Sequence, residues 1–331
     1  FVASIIITTL SGLLLKYAFI PENGIGRKEG FAIAALGWIL AAGFGTFPFL
    51  FSGTFTNFID AYFESMSGFT TTGATVLSSI EGNSLSVLFW RDQIQWMGGM
   101  GIIVLVVAIL PALGVGGMQL FRSEVPGPEP DKLKPRIKET AKLLYLVYII
   151  ISVLQVVCLY ITGMSLYDAL THMFGTMCTG GFTPKNLSVG HYNNPTYDFI
   201  IIIFMFIAGA NFTFHYKVLH GDLKSLLKDR EFLFYTGIIL LSTLIIATQL
   251  RIYVYNTIFA AIRYASFQVV SITTTTGFVT ADYDQWPDLS KYILLVLMFI
   301  GGCAGSTGGA IKNIRILILL KKASREFQKI L

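Results

Sequence analysis

The chain has 331 residues, 54% of them hydrophobic and only 13% Asp, Glu, Lys or Arg, with a formal net charge of +5. An ordinary soluble domain carries about 25% charged residues, so this composition leaves too little charged surface for a soluble enzyme and describes a chain embedded in a membrane. The excess of Lys and Arg is explained by where those residues fall, and no nucleic-acid partner is expected.

Apolar runs near 1–20, 31–51, 96–113, 143–163, 199–214, 232–250 and 292–303 approach the roughly 17–25 residues that cross a bilayer. Several are short, which predicts breaks within them or packed neighbours beside them. Basic residues gather after the third run (Arg122, Lys132, Lys134, Arg136, Lys138, Lys142), after the fifth (Lys217, Lys224, Lys228, Arg230) and at the C-terminal end (Arg315, Lys321, Lys322, Arg325, Lys329). Stretches 51–90 and 163–196 hold a single basic residue, Lys185. The positive-inside bias therefore makes the basic connections cytoplasmic and the other set external. Cys158, Cys178 and Cys303 lie in segments at membrane depth, without disulfide-framework spacing, and read as small packing residues.

In chain order, residues 1–20 form a first apolar helix, and three related units follow. The units centre on Phe69-Thr70-Thr71-Thr72-Gly73-Ala74-Thr75, Met177-Cys178-Thr179-Gly180-Gly181-Phe182 and Thr274-Thr275-Thr276-Gly277-Phe278-Val279. Gly73 to Gly180 is 107 residues and Gly180 to Gly277 is 97. A short semi-apolar helix is predicted before each Thr-Gly, at 58–69, 166–177 and 257–273, too short to cross a bilayer. After each comes a polar external stretch, then a long helix with small residues at its middle: Gly98-Gly99-Met100-Gly101, Gly209-Ala210-Asn211 and Gly301-Gly302-Cys303-Ala304-Gly305. Each unit thus reads as helix, half-length re-entrant helix, extended loop, helix.

Non-helical backbone at membrane depth survives only where protein or a water-filled cavity satisfies its N–H and C=O groups. Converging loops of this kind can ring a cation with carbonyl oxygens that replace its hydration shell, and glycine permits the backbone conformations this needs. The acids Asp60, Glu64, Glu81, Asp92, Asp168, Asp198, Asp282, Asp284 and Asp288 lie towards the three external mouths, as solvated surface charge or as a means of concentrating cations. Arg263, on the third short helix, calls for an acidic partner. His172 and His215 read as hydrogen-bonded helix residues, and Lys312 and Arg315 as cytoplasmic anchors. No zinc-protease motif, phosphate loop or nucleophile elbow is present. Enzymatic chemistry is not expected, and a membrane-embedded hydrolase is a remote alternative. An H+- or Na+-coupled secondary transporter would use the same kind of loop and stays open.

The stretches 63–75, Gln95-Trp96-Met97-Gly98-Gly99-Met100-Gly101-Ile102, Gly116-Gly117-Met118-Gln119-Leu120 with Pro126-Gly127-Pro128 and Pro135-Arg136-Ile137, and Gly301-Gly302-Cys303-Ala304-Gly305-Ser306-Thr307-Gly308-Gly309 closely resemble the TrkH family of bacterial Trk potassium-uptake systems, within the Trk/Ktr/HKT superfamily. The resemblance implies an all-α polytopic membrane protein of repeated M1–P–M2 units around a central pore. In this chain the units are 30–120, 138–222 and 231–331, preceded by the extra helix 1–20. It implies ion-facing carbonyls from Thr71, Thr72, Cys178, Thr179, Thr275 and Thr276, with Gly73, Gly180 and Gly277 as filter glycines. It further implies a gating loop at 301–309 centred on Gly305, Ser306, Thr307, Gly308 and Gly309, whose composition is also a poor helix former. K+ is then the transported ion, no cofactor is bound, and the setting is the bacterial plasma (inner) membrane, crossed several times. The implied partners are a second copy in a homodimer, a cytoplasmic nucleotide-binding ring of the TrkA type, and membrane lipid. The family pattern has four such units. No fourth Thr-Gly loop follows Gly277, so the expectation is that the intact protein carries a further unit of about one hundred residues.

Overall fold

A computed structural model describes residues 1–18, 27–101, 137–219, 221–222 and 228–330. The described residues are helical without a named strand; the bridges Glu81–Asn83 and Ile300–Ile311 are isolated. The helices are α1 (Val2–Ala18), α2 (Arg27–Gly45), α3 (Phe47–Phe51), α4 (Phe58–Phe69), α5 (Leu85–Gly99), α6 (Ile137–Ile161), α7 (Leu166–Met177), α8 (Pro195–Ala208), α9 (Phe212–Leu219), α10 (Arg230–Tyr253), α11 (Ile258–Thr273), α12 (Asp288–Phe299) and α13 (Asn313–Ile330). The connection 102–136, with its basic and proline-rich residues, lies outside the described residues, as do His220 and Lys224.

Among the described residues, Lys142–Ile161 and Arg230–Tyr253 are long and apolar enough to cross a membrane. α4, α7 and α11 are the short elements, and each starts on a side-chain cap that satisfies an orphan N–H of its first turn. Asn57 accepts from the Asp60 N–H, Ser165 from Asp168 and Thr257 from Ala260. Each short helix packs between the helix that precedes it and the one that follows: α4 between α2 and α5, α7 between α6 and α8, α11 between α10 and α12. α7 also packs on α5, and α11 on α8, so each unit leans on the outgoing helix of the unit before it.

The outgoing helices are not continuous through their small residues; the first two breaks depart from the sequence-based expectation, and the third falls at the 301–309 stretch already read as a poor helix former. α5 stops at Gly99, α8 at Ala208 and α12 at Phe299. At the second break the chain turns by 104° into α9. The reason is close approach: a Cβ on Gly209 would fall on the Tyr235 hydroxyl and lie 2.7 Å from Thr274 Cγ2. Carbonyls freed by the break find new donors, as membrane depth requires. Phe206 O accepts from the Tyr235 hydroxyl at 3.1 Å, Ile207 O from His215 Nε2 at 2.8 Å, and Gly209 O from the Cys303 N–H at 2.8 Å.

α8 and α11 are joined by a buried ion pair, Arg263 Nε to Asp198 Oδ2 at 2.7 Å, with Asn193 Oδ1 accepting from Arg263 Nη2 at 3.3 Å. Asp198→Ala leaves the arginine buried and uncompensated, and is expected to cost about 3–5 kcal/mol. Thermal unfolding in detergent should show a large drop for this variant and no measurable change for Asp288→Asn, which breaks only an exposed pair with Lys291. Equal, small effects from both would contradict the inter-helix role.

Candidate functional site

The three Thr-Gly loops leave their helices in one backbone conformation. Thr70, Cys178 and Thr274 are the C-caps of α4, α7 and α11. The next residue in each case is a threonine in the left-handed region: Thr71 (φ 55), Thr179 (φ 54) and Thr275 (φ 61). Two residues further on, Gly73 (φ 76), Gly181 (φ 76) and Gly277 (φ 80) occupy the same region. A β-branched residue at positive φ costs on the order of 1–3 kcal/mol and persists only where its surroundings hold it. The return hydrogen bonds agree with this alignment, from the N–H of Thr72 to Ser67 O, of Gly180 to Gly175 O and of Thr276 to Ser271 O, at 2.9, 3.1 and 2.8 Å.

This geometry corrects the sequence-based alignment of the second loop by one residue. Cys178, matched there with Thr71 and Thr275, is a helix cap. Gly180, matched with Gly73 and Gly277, corresponds to Thr72 and Thr276, and Gly181 takes the glycine position. The Thr-Gly dipeptide misled because the second loop reads Thr-Gly-Gly where the others read Thr-Thr-Gly.

The loops lie side by side. A Cβ on Gly73 would fall on the carbonyl oxygen of Gly180, and one on Gly181 on the carbonyl oxygen of Thr276. The glycine of each of the first two loops therefore presses on the residue preceding the glycine of the next loop. Residues 171–180 are buried throughout, whereas Thr72 and Gly277 are exposed, and a Cβ on Gly277 would meet nothing within 4 Å. The middle loop is enclosed by the other two, and each outer loop has one open flank.

Side chains brace the arrangement from behind. Ser67 donates to Ala74 O at 2.6 Å and Ser271 to Phe278 O at 2.7 Å. The second loop has Gly175 at that place, where a Cβ would sit 2.5 Å from Phe182 O. Its brace comes from α5 instead, with Gln95 Oε1 accepting from the Phe182 N–H at 2.8 Å. Phe182 and Phe278 are fully buried and wedge against the preceding short helix: a Cβ on Gly68 would be 3.6 Å from Phe182, and one on Gly175 would be 2.8 Å from Phe278.

Glu64 and Arg91 tie the first loop to the second. Glu64 Oε1 accepts from Arg91 Nε at 2.6 Å, the Thr75 hydroxyl donates to both carboxylate oxygens at 2.8 and 3.0 Å, and the Val76 N–H donates to Oε2 at 3.1 Å. Arg91 also lies 3.4 Å above the Phe182 ring and reaches Thr183 O at 3.5 Å. Glu64, Asp92 and Asp198 are thus buried partners of arginines rather than surface acids at a mouth, and Asp60 and Asp168 sit in helix-capping turns. Sequence reading placed these acids externally; pairing across 27 and 65 positions has no local signature. Gln95 and Arg91 were missed for the same reason.

Below the loops, residues 301–312 fold back as a non-helical segment. Gly309 N–H donates to Thr275 Oγ1 at 2.7 Å, and Thr307 donates to Met177 O at 3.1 Å and Ala208 O at 3.3 Å. Ser306 donates to Cys303 O at 2.6 Å, and Gly305 O accepts from the Phe212 N–H at 3.0 Å. Gly308 lies against the Thr274 carbonyl. Lys312, read from sequence as a cytoplasmic anchor, is buried and donates to Gly308 O and, at 3.4 Å, to Ser306 O. Arg315 is exposed. Among the described residues no cluster of His, Cys, Asp and Glu suited to a resident metal ion is present, and the three cysteines are free.

A family model described as the cation transport protein TrkH matches residues 1–330. The Trk system potassium uptake protein TrkH of Salmonella typhimurium is 45% identical over 326 residues, covering 96% of this chain and 67% of that protein. The corresponding protein of Halomonas elongata is 42% identical over 342 residues, covering 100% of this chain and 70% of its own length. The crystal structure of the potassium transporter TrkH from Vibrio parahaemolyticus superposes with a TM-score of 0.86 at 36% identity, over 99% of this chain and 68% of that one. The chain spans about two thirds of the length of these relatives.

The loop contacts make one asymmetric expectation. Gly181→Ala places a methyl on the Thr276 carbonyl, whereas Gly53→Ala, at an exposed turn with a φ of 73° against 76°, suffers only its backbone conformation. Overpacking of this kind costs about 1–3 kcal/mol, so the melting temperature in detergent should fall clearly further for Gly181→Ala. Equal losses would contradict the side-by-side packing.

Proposed function

Because the chain belongs to the TrkH cation transport family, we propose that it takes up K+ across the bacterial plasma membrane through a pore that its three Thr-Gly loops help to line. The observation that carries this reading is the loop stack itself: three strained, equivalent backbones, with Gly73 and Gly181 each pressed on a carbonyl of the next loop. Ordinary turns have no reason to repeat a left-handed threonine three times and to bring the copies together, whereas a ring of backbone oxygens substituting for the water around a cation does.

In this reading the units 30–120, 138–222 and 231–331 are M1–P–M2 repeats. α4, α7 and α11 are their pore helices, and 1–20 is an additional helix. The filter carbonyls belong to Thr71 and Thr72, Thr179 and Gly180, and Thr275 and Thr276, with Gly73, Gly181 and Gly277 as the filter glycines. Cys178 moves from a filter ligand to a supporting cap. The open flanks at Thr72 and Gly277 receive a fourth unit of the same kind, which closes the ring. Segment 301–309 is the gate: it lies under the loops, touches Thr275 directly, and is tied by hydrogen bonds rather than helical continuity. A homodimer and a TrkA-type nucleotide-binding ring on the cytoplasmic side complete the proposed assembly, on the strength of family membership.

The test is K+ uptake into liposomes containing the full-length protein. Gly73→Asp puts a charged side chain on the Gly180 carbonyl at a φ of 76° and should abolish uptake while the protein still purifies as a folded species. Uptake at the wild-type rate would refute the pore reading.

A further inference from the structure

The segment under the loops is held at both ends by one atom. Glu231, in the first turn of α10, directs Oε1 at the N–H of Ala304 (2.8 Å) and at the N–H of Ile314 (2.9 Å). Ala304 immediately precedes Gly305, whose φ of 73° begins the turn of the segment, and Ile314 lies in the first turn of α13. Glu231 is 8% exposed, so these bonds form largely away from bulk water, and hydrogen bonds to an ionised group are shorter and roughly twice as strong as neutral ones. It also faces the positive end of the α13 dipole. Between the two anchors, Lys312 folds its ammonium onto the carbonyls of Gly308 and Ser306. The bonds from the segment to the rest of the protein in its middle are of another kind: the neutral contacts of Thr307 to Met177 and Ala208, and of Gly309 to Thr275.

We propose that Glu231 is a positioning residue that latches the gating segment shut, with Lys312 as the tethered cation that keeps the segment's carbonyls turned inward. The proposal rests on the reading of 301–309 as the gate and adds the residue that sets its resting position. Because both ends hang on one oxygen, displacing either end of the segment breaks a bond to Glu231, and releasing it frees two backbone donors and a buried charge at once. The segment therefore has two states, latched and free, rather than a continuum.

The experiment is K+ flux, with K+ over Na+ selectivity, in liposomes carrying the full-length protein, for wild type, Glu231→Ala, Glu231→Gln, and a variant lacking Ser306-Thr307-Gly308. Loss of a bond to a charged group shifts a two-state balance by about tenfold or more. Glu231→Ala should therefore raise basal flux at least about tenfold with selectivity unchanged, since the filter backbone is untouched. Glu231→Gln keeps an acceptor oxygen without the charge and should fall between. Flux at or below wild type in Glu231→Ala, together with raised flux in the shortened variant, overturns the latch and leaves the gate reading intact. Unchanged flux in the shortened variant overturns the gate reading and the latch with it. If the alanine protein does not fold, the glutamine protein decides alone, and wild-type flux from it overturns the latch.

Discussion

Backbone that leaves a helix within a membrane has to find partners for its N–H and C=O groups inside the protein, and nearly every unusual feature of this chain answers that demand. The three Thr-Gly loops are satisfied in part by their own helices, through the bonds of Thr72, Gly180 and Thr276 back to Ser67, Gly175 and Ser271. Further bonds come from side chains behind them: Ser67, Ser271, Gln95 and the Glu64 carboxylate. The breaks in the outgoing helices follow the same rule, with Tyr235, His215 and the Cys303 N–H taking the freed carbonyls.

The same constraint explains the buried charges. An arginine or glutamate here is costly unless paired, yet a full charge satisfies several backbone groups at once where a serine satisfies one. Arg91 and Glu64 join two loops, Arg263 and Asp198 join two helices, and Glu231 joins both ends of a third segment. The first two sit at seams between units, and the third closes a segment within its own unit. The loops are therefore not independent turns hung on a helical frame; the middle one, buried between its neighbours, is held by Gln95 and Arg91 of the preceding unit.

Much of this was legible from the residues. The short helices were readable because semi-apolar stretches too short to cross a bilayer end at Thr-Gly, and the structure places α4, α7 and α11 there. The register of the second loop was not readable. A dipeptide match favoured Gly180, while the backbone, which repeats from the helix C-cap, selects Gly181. The helix breaks were half readable: glycine clusters marked close packing, but whether a helix passes through such a cluster depends on what lies opposite, here Tyr235 and Thr274 for Gly209. The fate of Glu64 was hidden because its arginine lies 27 positions on, that of Asp198 because its partner arrives from another unit, and that of Lys312 because its carbonyls belong to a turn that only the folded segment makes.

The central claim is that the loop backbones form a cation path, and crystals of the full-length protein soaked in rubidium test it most directly. The account predicts anomalous density bounded by the carbonyl oxygens of Thr71 and Thr72, Thr179 and Gly180, and Thr275 and Thr276. Rubidium density elsewhere in the protein, with none between these loops in a preparation that still conducts K+, would contradict it.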